Sequence, residues 1–136
     1  MNKTTDDPGS QIEPTKAELD ILQVLWEKGP STVREVNETL NAQKKAVRYT
    51  STLKQMQVMV EKGMLRRDES SMKHVYSAAI GEDKTKGTLL DRFVDSMYKG
   101  SVSGLMMQLL GNKKTSKEDL AEIRKLLDRL DKDRDA

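Results

Sequence analysis

A mainly α-helical fold with one small β-hairpin is predicted by three features of the sequence. Two capping boxes, Thr15 with Glu18 and Thr32 with Glu35, each open a stretch with apolar residues at helical spacing. After Gly63 the period changes, and two short runs able to extend flank the polar turn-forming stretch Asp68-Glu69-Ser70-Ser71-Met72. From residue 81 onward the helical spacing returns and persists.

Residues 1–13 lack apolar periodicity and contain Pro8, Gly9 and Ser10, so they are expected to be a disordered tail. The first helix spans roughly 15–28, with Leu19, Leu22, Leu25 and Trp26 on one side and Gly29-Pro30 as its stop. Val33, Val36 and Leu40 give a short second helix. A third runs over 50–62, with Leu53, Met56, Met59 and Val60 inward and Gly63 as a left-handed cap. Met64-Leu65-Arg66-Arg67 and Lys73-His74-Val75-Tyr76 form the hairpin, and residues 46–48 are expected to add a small third strand. Three short helices followed by a hairpin is the order of a winged helix-turn-helix, here predicted over 14–80.

Residues 81–136 read as a purely helical second domain. Leu89, Leu90, Phe93, Val94 and Met97 share one helix, ended by Gly100. Val102, Leu105, Met106, Leu109 and Leu110 mark another, ended by Gly111. Ser116 caps a last helix bearing Leu120, Ile123, Leu126, Leu127 and Leu130. Fewer than 60 residues with one Phe and no Trp make a poor independent core. These stripes are therefore expected to pack on a second copy, giving a homodimer through Leu89, Phe93, Val94, Met97, Leu105, Leu109, Leu120, Ile123, Leu127 and Leu130. Folding back on the N-terminal domain is the alternative.

The net charge of this 136-residue chain is only +2, but it is unevenly spread. Between residues 44 and 80 stand eight basic side chains (Lys44, Lys45, Arg48, Lys54, Lys62, Arg66, Arg67, Lys73) against three acidic ones, Glu61, Asp68 and Glu69. Such concentration fits a phosphate-binding face, although a solvated surface has the same composition. On the side of helix three opposite its apolar stripe, Ser51, Lys54, Gln55 and Val58 follow Thr50. Short hydroxyls, an amide able to pair with adenine, a cation and an apolar contact for a thymine methyl suit major-groove reading. Thr32, Lys44, Lys45, Arg48, Arg66, Arg67, Lys73 and His74 are the candidate contacts to the DNA backbone, which set affinity and register rather than sequence choice. A winged helix serving as a protein–protein adaptor remains the rival reading; an apolar patch in place of this polar face would favour it.

The runs PTKAELDILQVLWEKGPSTVREV, YTSTLKQMQVMVEKGMLRRDES and HVYSA resemble the BlaI/MecI-type penicillinase-repressor family across about residues 14–133. The resemblance implies a winged-helix domain, a helical dimerisation domain and repression through dyad DNA operators. It places the groove-reading helix on 50–62 and the wing on 65–76. Members are often released from DNA when a membrane-bound sensor protease triggers cleavage in the dimerisation domain. The family's scissile Asn-Phe pair corresponds to Gln108-Leu109 here. The cysteine cluster of the copper-sensing branch has no counterpart in this chain.

Enzyme classes find little support. The chain has one histidine, His74, and no cysteine, and it lacks a Gly-rich phosphate loop, a GxSxG elbow and an HExxH pair. The carboxylate pairs Asp91/Asp95 and Glu118/Glu122 lie one turn apart on surface helices without a second ligand type. No metal, cofactor or catalytic residue is therefore expected. The absence of cysteine suits a reducing cytoplasm, the polar start MNKTTDDPGSQIEP does not resemble a signal peptide, and no apolar run approaches membrane-spanning length. A cytoplasmic location without a membrane partner is the expectation.

Overall fold

The computed structural model describes residues 12–111 and 114–135. Nearly all of the tail expected over 1–13 lies outside the described residues. The elements are α1 (Lys16–Lys28), α2 (Val33–Ala42), α3 (Tyr49–Glu61), β1 (Leu65–Asp68), β2 (Val75–Ala78), α4 (Glu82–Tyr98), α5 (Val102–Leu110) and α6 (Lys117–Asp135). This is a winged-helix arrangement followed by helices.

Local chemistry starts and stops these helices. At α1 the Thr15 hydroxyl accepts from the Glu18 amide at 3.2 Å, and the Glu18 carboxylate accepts from the Thr15 amide at 2.9 Å. The same reciprocal box opens α2, at 3.2 and 2.8 Å between Thr32 and Glu35. Each box satisfies two orphan backbone donors without tertiary help. Gly29 and Gly63 end α1 and α3 at φ 84°, where a Cβ would be strained. Ser116 caps α6 through the Asp119 amide at 3.0 Å.

The strands pair antiparallel, with Leu65 opposite Ala78 and Asp68 opposite Val75. The third strand expected from residues 46–48 is not formed, because Ala46 adopts φ 51°, incompatible with extension. Ser31 takes that place: its amide donates to the Tyr76 carbonyl at 2.9 Å and its carbonyl accepts from the Tyr76 amide at 2.8 Å. The hairpin's second arm starts at Val75, leaving Lys73 and His74 in the turn.

One hydrophobic core joins α1, α2, α3 and the hairpin. Ile21, Leu22 and Leu25 meet Val36 and Leu40, with Met56, Met59 and Met64 beneath α3 and Tyr76 closing the hairpin side. Each such side chain gains roughly 1.5–3 kcal/mol by leaving water. The Trp26 indole donates to the Ile80 carbonyl at 3.0 Å, and the Lys86 ammonium sits 6.0 Å from its ring centroid. Thr85 is buried as well. These contacts draw the first turns of α4 into the first compact unit, which ends at Leu90.

The second unit begins at Asp91. Among its described residues only Val94 is buried, while Phe93, Met97, Leu109, Leu127 and Leu130 remain exposed. Leu105 and Ile123 are half-buried. Leu89, which belongs to the first unit, is half-buried too.

A charged group lies inside the first unit. Glu18 is 1% exposed, and its carboxylate accepts from the Lys62 ammonium at 2.8 Å and the Gln55 amide at 3.3 Å, besides the Thr15 amide. Burial works against the charge, but the Lys62 hydrogen bond, the Thr15 amide and the Lys62 charge outweigh it and lower the carboxyl pKa below its ordinary 4.5. The stabilisation is fully present above that unfolded value and is lost as pH falls through the lower folded one. Glu18→Gln should cost roughly 1–3 kcal/mol at neutral pH and flatten the decline in stability below the ordinary glutamate pKa. Urea unfolding followed across that range checks both, and unchanged acid sensitivity would remove Glu18 from this role.

Candidate nucleic-acid interface

The outward face of α3 is set by what the helix buries. Thr52, Met56 and Met59 point into the core. Thr52 is polar, and its burial is made tolerable by the Asn37 amide, which donates to its hydroxyl at 2.9 Å. Counting Thr52 as inward rotates the outer face by a fraction of the roughly 100° between successive residues. Thr50, Ser51 and Lys54 stay on that face and are exposed, and Val58 is half-buried at its edge.

Gln55 does not share this face. It is half-buried, bonds Glu18 and lines a cavity of about 170 Å³ with Asp20, Ile21, Leu40 and Ser51. Its amide donates to the Glu18 carboxylate rather than standing free on the outer face. Gln57 is the exposed amide of the outer face. Stepping three residues on from Lys54 finds it in the sequence, provided Thr52 is placed inward.

The turn that aims α3 is held by asparagines. Asn37 is buried and also donates to the Val47 carbonyl at 2.9 Å, while the Asn41 side chain accepts from the Val47 amide at 2.8 Å and donates to Asn37 at 3.2 Å. This network holds a turn in which Lys44 and Ala46 adopt φ 63° and 51°. Lys44 and Arg48 are exposed beside the start of α3. Lys45 is partly neutralised by Asp20 of α1 at 3.6 Å.

Strand parity decides which hairpin cations are available. Arg67 stands opposite Tyr76 and on the same side of β1 as the buried Leu65. The Tyr76 hydroxyl and the Glu69 carboxylate, the latter at 2.7 Å, both accept from its guanidinium and raise its pKa further. Arg67 is thus exposed but tied to its neighbours in the hairpin. Arg66 is exposed on the opposite side of the strand.

Lys73 and His74 are exposed in the hairpin turn. With Thr32, Arg34, Tyr49 and Leu53 they line a groove of about 340 Å³. Thr32 contributes there while its hydroxyl caps α2. Arg34 and Tyr49 escaped the sequence reading, because Arg34 lies on α2 and the helix expected over 50–62 begins one residue after Tyr49. Among the described residues no group of three or more His, Cys, Asp or Glu side chains is placed to hold a metal ion, and no helix is long and apolar enough to cross a membrane.

The penicillinase-repressor family profile matches residues 14–129. The chain belongs to the penicillinase-repressor family. It is 24% identical over 126 residues to a penicillinase repressor of Staphylococcus aureus, covering 90% of this chain and 96% of that protein. A penicillinase repressor of Bacillus licheniformis is 24% identical over 82% of this chain and 87% of its own length. The methicillin resistance regulatory protein MecI of Staphylococcus aureus strain N315 is 22% identical over 86% of this chain and 94% of its own. The family is one of transcriptional repressors, and its matched span covers the capping boxes, α3, the hairpin and most of α6.

Asn37→Ala should cost roughly 1–3 kcal/mol, since it strips partners from the Thr52 hydroxyl and the Val47 carbonyl together. An unchanged urea midpoint would show that the turn holds without this network.

Proposed function

We propose that this protein is a sequence-specific repressor that binds dyad DNA operators as a homodimer, with α3 in the major groove and the hairpin along the backbone. The observation that carries the reading is the outer face of α3. Thr50, Ser51, Lys54 and Gln57 stand exposed there, with Val58 at its edge and Glu61 only at the C-terminal end. Hydroxyls, an amide and a cation at the start of a helix match the donor and acceptor edges of the major groove. Arg66, Lys73 and His74 on the hairpin, with Lys44 and Arg48 beside α3, supply the contacts to phosphate. Membership in a repressor family supports the same conclusion. An adaptor surface would be expected to present an apolar patch here, and this face offers Val58 alone.

Homodimerisation is supported by the second unit, which leaves Phe93, Met97, Leu109, Leu120, Leu127 and Leu130 in water. Val94 is already buried within the single chain, so its contribution to a partner is smaller than its spacing implies. A second copy offers matching stripes, and a two-fold protein matches a two-fold operator. We place release by a sensor protease at Gln108-Leu109. Both residues are exposed on α5, and cleavage there would sever α6 from the DNA-binding unit. A protease needs an extended substrate, so α5 must unwind locally first.

Footprinting and salt titration on duplex DNA from the protein's own upstream region test the reading. A symmetric footprint with two half-sites and a steep salt slope is expected, whereas no binding at low salt would leave the adaptor. On that duplex Gln57→Ala should relax preference at one base position by roughly 1–3 kcal/mol, and Gln55→Ala should leave preference unchanged. Arg66→Ala should weaken all sequences alike and lower the salt slope by about one unit. The assignment fails should Gln55→Ala alter base preference and Gln57→Ala not. Leu127→Asp should yield monomers in sedimentation and lose tight operator binding; a persisting dimer would displace the interface from α6.

A further inference from the structure

We propose that Arg34 and Tyr49 form a clamp for one DNA backbone phosphate in the groove between α2, α3 and the hairpin turn. The inference rests on the DNA-binding reading and adds a contact to it. The Arg34 guanidinium carbon lies 5.5 Å from the centroid of the Tyr49 ring, within cation–π range. Tyr49 is 42% exposed, so the pair stands at the mouth of the groove. Lys73 and His74 face it from the hairpin turn, and Leu53 contributes an apolar wall.

Three cations of the same unit are committed to carboxylates, and Arg34 is not. Lys45 is paired with Asp20, Lys62 with Glu18, and Arg67 with Glu69. Among the described residues no carboxylate pairs with Arg34. The Tyr49 ring neighbours the guanidinium without using its hydrogen-bond donors. A guanidinium placed in this way keeps a planar fork available for two phosphate oxygens and loses less side-chain freedom on binding. Glu35 lies next in sequence, but its carboxylate turns back to the Thr32 amide at 2.8 Å. The groove is thus cationic on two walls, and the face of α3 continues directly from its edge at Thr50. The phosphodiester backbone of the duplex read by α3 is the anion that fits this placement.

The test measures affinity and salt slope on two duplexes, the footprinted upstream fragment and a random sequence of equal length. Arg34→Ala should weaken both by the same factor, on the order of tenfold, and lower the slope by about one unit. Arg34→Lys should restore the slope but only part of the affinity. Tyr49→Leu should weaken both duplexes alike, by less than Arg34→Ala, because the guanidinium loses the ring beside it. Wild-type affinity and slope for Arg34→Ala, on DNA that the wild-type protein binds, would overturn the clamp alone. Loss of preference at a single base pair would overturn it too, by making Arg34 a base contact. Absence of salt-dependent binding by the wild-type protein would overturn the DNA-binding reading and the clamp together.

Discussion

The carboxylate of Glu18 is the interaction on which the placement of α3 depends. It caps the start of α1 and, in the same position, holds Lys62 just past the end of α3 and Gln55 in its middle. A buried charge tolerates few arrangements, because each lost partner leaves desolvation uncompensated. Apolar packing fixes the distance between α1 and α3 but leaves α3 some freedom to roll. The Glu18 contacts constrain that roll, and with it the choice of residues that face outward.

A second constraint acts at the other end of α3. The asparagine network fixes the turn from α2 with backbone and side-chain partners, and it satisfies the buried Thr52 hydroxyl. The helix is therefore pinned by polar contacts at both ends and cushioned by apolar ones between. Polar contacts are directional where apolar ones are not, so they decide orientation even when they add little net stability. The charges nearby divide accordingly: Lys45, Lys62 and Arg67 hold the scaffold together, while Lys54, Arg66 and Arg34 are left facing outward.

Features that depend on a few neighbouring residues were legible in the sequence. Both capping boxes, the glycine stops and the helix–hairpin order required only local spacing, and the run of motifs pointed to the repressor family. Features that depend on distant partners were not. Thr52 reads as a surface hydroxyl until Asn37 is placed beside it, and that single assignment exchanges Gln55 for Gln57 on the outer face. Arg66 and Arg67 are indistinguishable until the register against Tyr76 fixes strand parity. Ser31 carried no strand pattern of its own, and it pairs with Tyr76 only because the chain between α1 and α2 passes that edge. The extension of the first unit into α4 similarly rests on Trp26 meeting Ile80 and Lys86 across the sequence.

The inward side of α3 and a residue shortly after its end carry thioethers into the core. Met56, Met59 and Met64 are at most 3% exposed, whereas Met72 at the hairpin turn is fully exposed. Unbranched, polarizable side chains can change rotamer at nearly constant volume, so the support under the reading helix is deformable while its polar anchors are not. Small tilts of α3 can thus be absorbed by the core without opening voids. The same distribution grades chemical vulnerability: an oxidant reaches Met72 freely, where a sulfoxide changes only the hairpin tip, and the sulfurs that seat the helix stay reduced until the domain opens.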